Sequence, residues 1–174
     1  MQNLIKLLIV VFIFGGVIHE NKAVADSLLS LSEEYFDFGE IDLGDDDIRT
    51  INDQYHKLRA YPDVINALSS IKDQGWVVKI VANPTKKMIE DHSKFAGTIK
   101  FIDEIISSGE EKQAFKPSPQ VFEIGAERAG CPKEEILWVT GHQWEAFGAV
   151  RHGLKVAWTN RAQQPKLQIG IEPN

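Results

Sequence analysis

Lys116-Pro117-Ser118-Pro119 and, further along, Thr140-Gly141-His142-Gln143-Trp144-Glu145 hold the residue types best suited to chemistry in this chain. Both fall beside apolar runs with strand character, and open α/β sheets place their chemistry just past the carboxyl ends of the strands. Lys116 precedes a proline, which favours extended backbone and holds the amine in place. A lysine so held neutralises a buried carboxylate or a substrate's own; the bland alternative is a solvated loop lysine. Glu145 also reads two ways, as a base for water or as a negative charge in the first turn of its helix. Thr140 and His142 add a hydroxyl and an imidazole. Asn83, just before Pro84, is a turn residue by default that also ends an apolar run. Trp144 suits a core position or a ligand platform.

The elements that carry these residues follow from periodicity. Trp76 to Val81, Glu104 to Ile106, Ile136 to Val139 and Leu154 to Trp158 read as strands. Between them lie a helix after Pro84, one from Pro119 to Gly130, and one from Trp144 to His152. Pro62 starts another helix with Val64, Leu68 and Ile71 inward. Strands alternating with helices imply right-handed βαβ units and a parallel sheet, an α/β fold. Before Pro62, Leu28, Leu31, Tyr35 and Phe36 suit one amphipathic helix and Ile48, Ile51, Tyr55 and Leu58 a second, together a small helical cap over residues 26–60. Residues 61–174 are then the α/β core.

Residues 1–25 stand apart. Lys6 precedes an apolar run from Leu7 to Ile18, and Ala23-Val24-Ala25 gives a small-x-small cleavage pattern before Asp26. A secretory signal, implying a secreted or periplasmic protein, is the expectation. The competing reading makes Leu8 to Phe12 a buried central strand opening into a Gly15-Gly16 turn, in a cytoplasmic protein.

At 174 residues, 43% hydrophobic and 25% charged, the chain has enough material for one domain with a real core. A net charge of −6, without a basic stripe interleaved with aromatics, argues against nucleic acid as a partner. Asp45-Asp46-Asp47 lacks the spacing of a calcium loop and reads as a solvated helix start. The single cysteine, Cys131, excludes a disulfide framework. His19, His56, His92 and His152 form no metal-spaced cluster.

Tyr61-Pro62-Asp63-Val64, Val81-Ala82-Asn83, Phe115 to Phe122, and Thr140 to Ala149 running on to Ala157-Trp158-Thr159-Asn160-Arg161 occur in an order that resembles the haloacid dehalogenase (HAD) superfamily. The similarity is to its type II, L-2-haloacid dehalogenase branch. It implies a HAD-like Rossmannoid core with a short, reduced cap, acting on a small 2-haloacid or another small carboxylate. It implies no cofactor and no metal, and it is compatible with a homodimer. In that family an aspartate ending the first strand attacks the carbon bearing the halogen and forms an ester, which water then hydrolyses. By resemblance, Lys116 holds that aspartate ionised, Glu145 replaces an aspartate associated with ester hydrolysis, and Thr140 and His142 complete the catalytic group. Asn83, Trp144 and Phe122 are implied in binding substrate and leaving halide, and Ala82 stands where the family carries a serine.

The main departure is the nucleophile, because the first-strand alignment puts Ile13 at the aspartate position. The cap is also short, with only residues 19–60 between Ile18 and Tyr61, and the sequence stops at Asn174 where a further strand is expected. The resemblance therefore implies a truncated or degenerate member.

Overall fold

A computed structural model of the chain describes residues 7–10, 53, 56–161, 163, 165 and 166. Five parallel strands form one sheet in the order β3-β2-β1-β4-β5. They are β1 (Leu7–Val10), β2 (Val77–Ala82), β3 (Glu104–Ser107), β4 (Ile136–Thr140) and β5 (Lys155–Trp158). Among the described residues the α-helices are α1 (Val64–Asp73), α2 (Lys86–Phe95), α3 (Ser108–Lys112), α4 (Pro119–Ala129) and α5 (Gln143–Arg151).

Alternation along the strands divides the core between two faces. From β2, Val78 joins Leu68 of α1, while Ile80 and Ala82 join Ile89 of α2. Val81 faces the other way, into a larger cluster with Val121, Phe122 and Ile124 of α4 and Ala146 and Ala149 of α5. On β4, Ile136 and Trp138 enter that second cluster, whereas Leu137 and Val139 pack with the α1 group. This period-two division explains why the strands carry apolar residues nearly throughout, since helices cover both faces of a parallel sheet. Complete burial of one such side chain contributes roughly 1.5–3 kcal/mol.

Local signals set the helix ends. Pro119 occupies the first turn of α4, where its missing N–H leaves nothing unpaired. Gly130 closes the same helix with φ 69°, a left-handed conformation natural to glycine. Thr85 caps α2 by accepting from the Met88 N–H at 3.3 Å, and Ser107 caps α3 through the Glu110 N–H at 3.3 Å.

The sequence-based elements from Pro62 onward agree with these bounds to within a residue or two. Absent from the expectation was α3, a single short turn without apolar periodicity. Leu7–Val10 pairs with β2 on one side and β4 on the other, Val10 lying opposite Ile80 and Val139. Cleavage after Ala25 would remove the strand joining the two halves of the sheet. Ile13, Asp45-Asp46-Asp47, the helices expected around 28–36 and 48–58, and most of the 26–60 cap lie outside the described residues.

Candidate active site

The strand order reverses direction at β1, and open α/β sheets bind ligands at such a switch point. Lys116 reaches into this region from the loop between α3 and α4. Its Nζ lies 3.3 Å from the Val81 carbonyl at the end of β2 and 3.3 and 3.4 Å from the two carboxylate oxygens of Glu145 on α5. The amine thus lies between elements carried by the two strands that flank β1, with all three of its hydrogens given acceptors. The Lys116 side chain is 7% exposed and that of Glu145 0% exposed. Burial pushes the Lys116 amine below its ordinary range, and the Glu145 carboxylate opposes that shift.

Glu145 is held from every side. Trp138 Nε1 donates to Oε1 at 3.0 Å and the Thr140 hydroxyl donates to Oε2 at 3.1 Å, so each oxygen receives two donors. A fully buried carboxylate with two donors on each oxygen has its acceptor positions filled. The arrangement suits a fixed counter-ion better than the base considered from sequence. Thr140 likewise spends its hydroxyl internally, donating to Glu145 and accepting from the His142 N–H at 3.1 Å.

Asn83 is oriented by its neighbours. Its Oδ1 accepts from the Lys116 backbone N–H at 2.9 Å and lies 3.5 Å from the Ser108 hydroxyl, which also lies 3.3 Å from the Ala82 carbonyl. With the carbonyl end so occupied, Nδ2 is the group Asn83 can offer a ligand. Gly109 permits this packing: a Cβ there would lie 2.7 Å from the Asn83 carbonyl oxygen. His142 stacks on Trp144 at 5.2 Å between ring centroids, and Trp144 is 44% exposed. Burial holds the His142 imidazole below its ordinary range, Glu145 drawing it up and Lys116 drawing it down.

The structure therefore brings Asn83, Lys116, Thr140 and Glu145 into one hydrogen-bonded group, with His142 and Trp144 beside it. Phe122 is a correction to the sequence reading. It is 1% exposed, with its ring 5.1 Å from Trp138 and 5.2 Å from His152, inside the α4–α5 core rather than at the opening. Sequence reasoning missed Trp138. A buried indole needs an acceptor for its N–H, and the inward position of Trp138 on β4 was the available signal. Among the described residues, no group of three or more His, Cys, Asp or Glu side chains is placed to hold a metal ion. A separate groove, lined by Arg59, Tyr61, Pro62, Ile65 and Phe95, contains none of these site residues.

The family model described as haloacid dehalogenase-like hydrolase matches residues 22–159. The chain belongs to that family. It is 27% identical over 162 residues to haloacetate dehalogenase H-2 of Moraxella sp. (strain B), covering 93% of this chain and 70% of the relative. It is 34% identical over 133 residues to an (S)-2-haloacid dehalogenase of Pseudomonas fluorescens, covering 76% of this chain and 58% of the relative. The chain thus spans between 58% and 70% of the length of these two relatives. A crystal structure of an L-2-haloacid dehalogenase shares the HAD fold, with a TM-score of 0.75 at 20% identity over 97% of this chain and 92% of the other.

Proposed function

We propose that the chain is a 2-haloacid dehalogenase-like hydrolase that binds a small 2-haloalkanoic acid while the ester-forming step is impaired. One observation carries this reading: the carboxylate engaged by Lys116 is Glu145, from the β4 side of the site, rather than one at the end of β1. The residues after β1, Val11 to Ile18, contain no carboxylate at all. Hydrolytic dehalogenation through an ester needs a carboxylate oxygen to attack the carbon and expel halide, and isoleucine has no such lone pair. Loss of a nucleophile lowers turnover by roughly 10⁴ or more in well-studied triads. What persists is the binding half, with the Nδ2 donor of Asn83, the His142–Trp144 stack and the adjacent Lys116.

The saturation of Glu145 also favours a second reading, a non-catalytic HAD-fold protein that takes a small carboxylate or a protein partner. Saturation-transfer NMR with L-2-chloropropionate tests the binding claim. A ligand signal that disappears in Asn83→Ala is expected. No signal at millimolar ligand would reject haloacid binding and favour the protein partner.

Because Leu7–Val10 is hydrogen-bonded on both sides within the sheet, we favour the strand reading of this segment. N-terminal sequencing after expression in a secreting host should find Met1; a chain beginning at Asp26 would restore the leader. A homodimer is our expectation for the assembly, read by light scattering.

A further inference from the structure

We infer that Trp138 is a positioning residue of this site, its indole N–H fixing the Glu145 carboxylate on the Lys116 amine. The inference rests on the reading of that ion pair as the centre of the site. Trp138 is fully buried in the middle of β4, and its ring is boxed in. Phe122 packs at 5.1 Å with the planes tilted by 57°. On α4, Gly125 leaves room for the indole, since a Cβ there would lie 2.8 Å from Cζ3. Phe122 is fitted by a second glycine, Gly148 of α5, whose Cβ would fall 2.8 Å from two ring atoms. The direction of the indole N–H is therefore set by α4 and α5 packing, not by the site itself.

That N–H points at Glu145 Oε1 from 3.0 Å. Indole is a donor only, so burial leaves it no alternative to an acceptor here. Glutamate has one more side-chain torsion than aspartate, and a lysine amine is a rotatable point charge, so neither fixes the other's direction. Thr140 restrains Oε2, and Trp138 supplies the second fixed point on Oε1. Two anchors on two oxygens define the plane of the carboxylate, and that plane defines where the Lys116 amine rests.

Indole N–H resonances of ¹⁵N-tryptophan-labelled protein test this directly. The four tryptophans give four signals, assigned through individual Trp→Phe variants. Glu145→Gln should move the Trp138 resonance upfield while Trp76 and Trp158 stay in place. An unmoved Trp138 resonance overturns the inference, and this readout survives even where Trp138→Phe itself fails to fold. A double-mutant cycle of Trp138→Phe with Glu145→Met, which removes the acceptor, should show coupling of about tenfold in the unfolding equilibrium constant, because the packing loss is common to both backgrounds. A parallel cycle of Lys116→Met with Glu145→Gln separates the two claims. Coupling in the second cycle alone removes Trp138 from the account and leaves the ion pair intact. Additivity in the second cycle removes the ion pair itself.

Discussion

Replacing Lys116 by methionine keeps the length of the side chain and removes its charge. The Glu145 carboxylate is then left with two neutral donors in a position that is 0% exposed. Removing one partner of a buried ion pair is strongly destabilising, by about 3–5 kcal/mol, because the other charge stays buried without compensation. At about 1.4 kcal/mol per decade, that is a shift of roughly two to three and a half orders of magnitude in the unfolding equilibrium. Against a total stability of about 5–15 kcal/mol, a loss of that size visibly weakens the fold and, at the low end of the range, comes close to unfolding it. Glu145→Gln in the same background should restore most of the loss, since a neutral amide oxygen still accepts from Trp138 without stranding a charge. Urea unfolding followed by circular dichroism, with midpoints compared at constant slope, measures all three proteins. A single-variant loss below about 1 kcal/mol, the range of exposed ion pairs, would refute the reasoning. So would a double variant no more stable than the single one.

Acid should weaken the fold through His92, whose imidazole burial holds below its ordinary range. With the folded value depressed, the unfolded chain takes up the proton first, so stability falls as pH drops below about 6.5 and levels off once the folded form also titrates. His92→Gln should flatten that part of a urea-midpoint profile against pH. Gly125→Ala places a Cβ 2.8 Å from the Trp138 ring, and should lower stability by about 1–3 kcal/mol and shift the Trp138 indole resonance. Ile13→Asp alone should restore little chloride release from L-2-chloropropionate, because Lys116 remains paired with Glu145; turnover rising by orders of magnitude would contradict that pairing.

The core from Pro62 to Trp158 was legible because strands buried on both faces read as continuous apolar runs, and Pro119 and Gly130 punctuate α4 unambiguously. Leu7–Val10 was ambiguous for the same reason: an apolar run after a lysine suits a leader and a central strand equally, and pairing with β2 and β4 is a long-range property that no local pattern carries. In the site, Lys116 and Glu145 stood out by residue type and spacing. Their bond to each other depends on loop and helix geometry that no local pattern encodes. Phe122 was implied by resemblance alone, and a matched position does not say which face of α4 a side chain occupies. Its burial beneath Trp138 follows from helix phase, and the small residues Gly125 and Gly148 make room for that packing.

Chloride release from L-2-chloropropionate by the purified full chain, read beside Lys116→Ala as control, decides whether the chain carries a working nucleophile. No release above the uncatalysed background is expected from either protein. Turnover by the unaltered chain that vanishes in Lys116→Ala would contradict that expectation, revealing a working nucleophile poised against that lysine.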